Sequence, residues 1–166
     1  MPGHPSDPCP TGSDAPECDL ELRLLLWPDE WPDNVWAGTT AEDQGYYDKR
    51  WPILAMVPAA VHFISHEPAL GPLRITEALN WRDEPMYPDW VITGGESGHG
   101  ARPYDVDWAH ALIHEAPVDT AVFVKQLGAK PHSGGRPMTH PLQRLDPAWT
   151  TPSHWPASLQ VQQFPA

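Results

Sequence analysis

Ten residues in this chain have the types and spacing to do chemistry together. They are Glu42, Ser65, Glu67, Gly94, Gly95, Glu96, Ser97, Arg102, Lys125 and Gln126, and each stands at or just after the end of a short apolar run. The sharpest stretch is Trp90 to Pro103, WVITGGESGHGARP, in which three apolar residues give way to Gly94-Gly95-Glu96-Ser97 and then to Arg102. Paired glycines permit a tight turn and a close backbone approach. A carboxylate beside them can accept hydrogen bonds from an ammonium or a hydroxyl, and Lys125 can pair with Glu96 or with an anion. The same polar residues can equally serve as ordinary helix caps, because acidic side chains are favoured at helix N-termini. The sequence leaves both readings open.

The elements that must position these residues follow from the apolar pattern. Asn34–Thr40, Val61–Pro68, Asp89–Ser97 and Ala121–Gly128 are rich in β-branched or aromatic residues and bounded by glycine or proline, as buried strands are. Between them, Glu42–Met56 has helical spacing of Tyr46, Tyr47, Trp51, Leu54 and Ala55, with Pro52 as an interruption. Ile75–Trp81 is a weaker helix. Asp105–Glu115 is a stronger one, with Asp105 or Asp107 available as a cap and Trp108, Ala111 and Leu112 on one face. Strands alternating with helices predict an α/β fold of about four parallel strands, since parallel neighbours need a crossover. Ligands in such folds bind beyond the carboxyl ends of the strands, where the ten residues fall.

Composition narrows the function classes. Lys plus Arg number 10 against 22 Asp plus Glu, a net charge of -12, so non-specific binding to a phosphate backbone is disfavoured. The longest apolar stretch, Ile53–Val61, is broken by Pro58 and falls far short of the roughly 20 residues of a membrane span. The first residues have neither a basic nor an apolar region of a secretory signal, which makes the cytoplasm the expected location. Prolines crowd both ends. Residues 1–30 therefore read as a Pro-rich, disordered leader, 31–130 as the folded body and 131–166 as an irregular tail.

Several other patterns reduce to plain packing. His110 and His114 have the spacing of two metal ligands, but no zinc-protease glutamate lies between them, and no metal site is expected. Gly95-Glu96-Ser97-Gly98 fails as a hydrolase elbow because His99 stands where the second glycine is required. Trp36, Trp51, Trp81, Trp90 and Trp108 are expected to pack in the core.

The ordered segments NVWAGTTAEDQ, VHFISHEPALGP, DWVITGGESGHGARP and VFVKQLG resemble the C-terminal half of the phage-associated three-Cys-motif proteins. That family is radical SAM-like and distantly similar to spore photoproduct lyase. The resemblance spans Trp31 to Gly128 and implies a partial (β/α) barrel. It also implies an N-terminal half in which a three-cysteine loop holds a [4Fe-4S] cluster with S-adenosylmethionine on its open iron. Carried over residue by residue, Gly94, Gly95, Glu96 and Ser97 would line the inner rim, with Glu67, Lys125 and Gln126 beside them. His66 takes a place where the family commonly has a small residue or a cysteine, which bears on the pocket's shape. This chain's only cysteines are Cys9 and Cys18, whereas the cluster needs three thiolates. The expectation is a truncated or split radical SAM-like protein, inactive alone, with no cofactor unless a partner supplies the cysteine motif. The alternative is a non-enzymatic binding or interaction module. Unpaired sheet edges would invite a partner chain that completes the barrel, or a second copy.

Overall fold

A computed structural model describes residues 31–141 and 144–166. Cys9, Cys18 and the leader lie outside the described residues. The protein is α/β, built on a parallel sheet of β1 (Trp36–Thr40), β2 (Val61–His66), β5 (Trp90–Gly94) and β7 (Ala121–Gln126), adjacent in that order. All three pairings are parallel, as the apolar runs predict.

Helix α1 (Gln44–Ala55) joins β1 to β2. It starts where Asp43, in extended conformation, accepts a hydrogen bond from the Tyr46 amide at 3.0 Å, relieving one of the unsatisfied first-turn donors. Pro52 stands inside the helix without ending it. Tyr47, Trp51, Leu54 and Ala55 are buried, but Tyr46 faces outward beneath the Arg50 guanidinium, 4.5 Å from its ring centre. Helix α2 (Val106–Glu115) is capped by Asp105, whose carboxylate accepts from the Asp107 amide at 3.1 Å. Its buried residues are Val106, Ala109 and Leu112, so the inward face differs from the expected Trp108, Ala111 and Leu112.

The weaker helix expected over Ile75–Trp81 is absent. Its place is taken by a two-stranded antiparallel hairpin of β3 (Ala78–Leu79) and β4 (Pro85–Met86). The turn explains the difference. Asn80 Oδ1 accepts from the Arg82 and Glu84 amides at 2.9 and 3.0 Å, the backbone hydrogen bonding by which asparagine favours turns over helices.

Register places alternate residues on opposite faces of the sheet. His62, Ile64, His66, Val91, Thr93, Val122 and Val124 point to the helix side and are buried. Trp36, Phe63, Trp90 and Phe123 point the other way, and no helix covers them among the described residues. Trp90 meets Trp36, Phe63 and Phe123 at ring-centre distances of 6.0, 6.0 and 5.9 Å, with the Trp36 and Phe123 rings edge-on to it. The core expectation holds for Trp51 but not for Trp36, which is 44% exposed, or Trp81, which is 37% exposed.

The core does not stop at Gly128. The tail contains β8 (Pro131–Ser133), β9 (Arg136–Pro137) and two short 3-10 turns, with β8 pairing parallel to β6 (Tyr104–Asp105). Its Trp149, Trp155 and Leu159 are buried against Tyr104, Val106, Ala109, Val124 and Leu127. Proline does break regular structure there, but irregular backbone still packs when its polar groups find partners. Asp146 supplies them: its carboxylate accepts from the Thr150 amide (2.7 Å), the Thr150 hydroxyl (2.9 Å) and the Thr151 amide (2.9 Å), with His154 Nδ1 at 3.2 Å. These bonds enclose Trp149, held in the left-handed region at φ 49°, a strain of about 1–3 kcal/mol. Desolvation opposes the charge on Asp146, but the hydrogen bonds from Thr150 and Thr151 outweigh it and hold the carboxyl well below the usual range.

Asp146→Asn is expected to destabilise the fold by about 1–3 kcal/mol in urea denaturation. The native protein should show its full contribution from this group above about pH 4, the unfolded value, and lose it as pH falls through the depressed folded value. In the variant this part of the acid dependence should vanish.

Candidate functional site

The carboxyl ends of β2, β5 and β7 meet at a shallow cleft of about 310 Å³ lined by Ser65, Glu67, Pro68, Gly95, Glu96, Ser97, Lys125 and Gln126. Seven of the ten residues singled out in the sequence therefore come together. Parallel pairing is the cause: strands running the same way in register deliver their last residues to one rim.

The Gly94-Gly95 step owes its form to close contact within the chain. A β-carbon on Gly94 would stand 2.6 Å from Glu67 Oε1 and 3.0 Å from the Gln126 carbonyl oxygen, and one on Gly95 would strike the Leu127 carbonyl. The backbone there is fully engaged. Ala69 N–H donates to Gly94 O (2.9 Å), Gly95 N–H to Gln126 O (3.1 Å), Gln126 Nε2 to Gly95 O (2.9 Å) and Ala129 N–H to Glu96 O (2.8 Å). The sequence suggests that these glycines admit a ligand. In the structure they admit Glu67 and the strand end after β7.

The charged groups are arranged in pairs. Lys125 Nζ lies 3.0 Å from Glu67 Oε2, so its partner is Glu67 and not Glu96. A register shift between Thr93 and Gly94 sets Gly94 opposite Gln126 and carries Lys125 out of the regular ladder. Glu96 is gripped by Arg102 in a two-pronged contact, Nε to Oε2 at 2.8 Å and an Nη to Oε1 at 3.0 Å, while the Arg102 amide donates to Oε2 at 2.9 Å. The Arg102 hydrogen bonds bring the Glu96 carboxyl down to about 2. Glu42 stands apart at the end of β1. Its partner is Arg50 at 3.4 Å, which also donates to the Thr40 carbonyl at 2.7 Å.

Beneath the rim is a polar layer the sequence does not signal. Glu67 Oε1, Thr93 Oγ1 and the Tyr104 hydroxyl are all buried, and none has a partner of good hydrogen-bond geometry. Burial pushes the Tyr104 phenol up to about 12; neighbouring Thr93 opposes the shift and the Glu67 carboxylate adds to it. Glu67 thus has one oxygen committed to Lys125 and one sealed against Gly94. His66 does not shape the cleft: it points to the helix side, 1% exposed, with ring nitrogens 2.6 and 3.1 Å from the Ala41 and Gly71 carbonyl oxygens. Burial lowers its pKa, with those two carbonyls opposing. His110 lies 2.9 Å from the Ser158 hydroxyl, and no group of three or more metal-ligating side chains occurs among the described residues. No helix among the described residues is long and apolar enough to cross a membrane.

Fold and site together define an α/β protein with a charge-paired polar cleft at the carboxyl rim of a four-stranded parallel sheet. The chain belongs to the family described as a protein of unknown function, DUF5131, which matches residues 12–156. No curated protein and no solved structure gives a significant match.

Gly94→Ala should destabilise the fold by about 1–3 kcal/mol through overpacking against Glu67. A double-mutant cycle with Glu67→Ala should show a coupling of at least about 0.5 kcal/mol; additive effects would mean that the two residues do not constrain each other. Separately, Arg102→Ala should let the Glu96 carboxyl titrate near its ordinary value of about 4.3, followed by carbon-detected NMR.

Proposed function

We propose that these residues are the C-terminal part of a radical SAM-like (β/α) barrel, truncated or split from the part that carries an iron–sulfur cluster. The rim cleft is its ligand-binding end, and it has no redox activity alone. One observation carries the reading: a parallel sheet with helices on one face and, among the described residues, no helix over the aromatic residues of the other. All-parallel sheets are normally covered on both faces. In a barrel the inner face is covered by the remaining strands and the helices stand outside. The order β1, β2, β5, β7 also advances steadily, as around a barrel, whereas a doubly wound sheet reverses direction.

The donor set does not fit the cluster. Three thiolates are required to leave one iron open, and the chain has two cysteines, both outside the described residues. Cluster and S-adenosylmethionine enter this reading through a three-cysteine loop supplied from outside these residues, as by a partner polypeptide. A second reading, a non-enzymatic binding or interaction module, is favoured by the rim's self-pairing: Glu67 with Lys125 and Glu96 with Arg102 leave little unbalanced charge for catalysis.

Anaerobic iron and sulfide quantification after reconstitution separates the readings. The chain alone should hold no stoichiometric iron, and a mixture with a polypeptide bearing the three-cysteine loop should hold about four irons per complex and change its absorbance with S-adenosylmethionine. About four irons on the chain alone would overturn the ligand count. No iron in either sample would sink the split-enzyme reading and leave the binding module.

A further inference from the structure

The strand end after β7 is held from two sides. On one side residues 126–129 are laced to the rim: the Gly95 amide donates to Gln126 O at 3.1 Å, Gln126 Nε2 to Gly95 O at 2.9 Å and the Ala129 amide to Glu96 O at 2.8 Å. Gly128, at φ 76°, comes so near that a β-carbon there would stand 2.6 Å from the Gly95 carbonyl carbon. On the other side the Leu127 amide donates to Trp149 O at 3.2 Å, and the Trp155 indole donates to the same oxygen at 2.8 Å. Leu127, Trp149 and Trp155 are all buried, where backbone groups need partners within the protein. One carbonyl thus joins the tail to the wall of the cleft. Its direction depends on Trp149 staying in the left-handed region at φ 49°, which a bulky residue rarely adopts. Asp146 holds it there from both flanks: its carbonyl accepts from the Trp149 amide at 3.1 Å, and its carboxylate takes the Thr150 and Thr151 amides at 2.7 and 2.9 Å.

We infer that Asp146 is a positioning residue for the rim cleft, acting through the Trp149 carbonyl on residues 126–129 and so on Gly95, Glu96 and Gln126. A Trp149 that relaxes to negative φ turns its carbonyl away from the Leu127 amide. A buried amide left without an acceptor is costly, so the strand end moves to recover one. Gly95, Glu96 and Gln126, which line the cleft, move with it. The cleft's lining residues all precede the tail, yet the tail sets the position of three of them. The role of Asp146 in function rests on the rim cleft being the ligand-binding end. The backbone coupling itself stands or falls whether or not a ligand or cluster binds there.

The test uses the full chain, with amide shifts and through-hydrogen-bond couplings read by NMR in the folded state, where a loss of global stability alone leaves them in place. In Asp146→Asn a donor NH2 replaces one acceptor oxygen and must face the donors of either Thr150 or Thr151. The couplings from Gly95 N–H to Gln126 C=O and from Ala129 N–H to Glu96 C=O should weaken or vanish, and the Gln126 side-chain amide signals should shift. Thr150→Val removes only the hydroxyl donor at 2.9 Å; it should shift the Gly95, Ala129 and Gln126 signals by less, and serves if Asp146→Asn does not fold. Ile64→Val, a cavity-forming change in the other core cluster, should leave the rim couplings at native strength. Variants at Asp146 and Thr150 that shift the Thr151 amide and the Trp155 indole but leave every rim signal unmoved would confine Asp146 to the tail. Equal losses at the rim in Ile64→Val would mean that the rim answers to any loosening of the core. Either result overturns the inference.

Discussion

Everything at the rim depends on one constraint: four strands must run parallel while their helix-side residues are sealed from water. Ile64, Val91 and Val122 form the centre of that sealed layer, meeting Trp51, Leu54 and Leu112 from the two helices. Burial of each such side chain contributes on the order of 1.5–3 kcal/mol, which fixes the face each strand presents. A one-residue slip would move the whole set to the opposite face, so the register is strongly specified. Ser65, Thr93 and Gln126 reach the same end of the sheet as a consequence of that register.

The rim then solves a local electrostatic problem. Carboxylates gathered at one end of a molecule with net charge -12 repel one another, and each acquires its own cation: Arg50 for Glu42, Lys125 for Glu67, Arg102 for Glu96. Lys125 and Arg102 are more than half exposed, and such pairs add little to stability. Their effect is to hold side chains in place. Glu67 is the exception, because one of its oxygens is buried beside Thr93 and Tyr104, and there the packing of Gly94 matters more than charge.

The open face and the tail are two sides of one arrangement. Helices seal one side of the sheet; on the other, Trp36 and Phe123 meet Trp90 edge-on and Phe63 meets it tilted, a packed cluster and not a flat stacking platform. The tail returns across the edge of β7 and contributes Phe164 to that cluster. The Pro-rich tail is irregular by local propensity and ordered by tertiary contact, with Asp146 as its internal hub.

The four strands of the parallel sheet and the two helices were determined by sequence alone, because β-branched runs bounded by glycine or proline and capping aspartates act over a few residues. Asp43 and Asp105 mark their helices in the sequence and cap them in the structure. Convergence of Ser65, Glu67, Gly95, Glu96, Ser97, Lys125 and Gln126 was legible too, since parallel strands must deliver their ends to one rim. Pairing within the rim was not legible: a shift of register at Thr93/Gly94 decides that Lys125 meets Glu67, and no local pattern encodes that shift. The outward Trp36 and Trp81 and the buried Trp149 and Trp155 were likewise decided by tertiary structure, whereas the hairpin in place of the Ile75–Trp81 helix follows from the local turn at Asn80. Hydrophobic type says that a side chain gains from burial, whereas only the packed chain determines which surfaces remain to bury it.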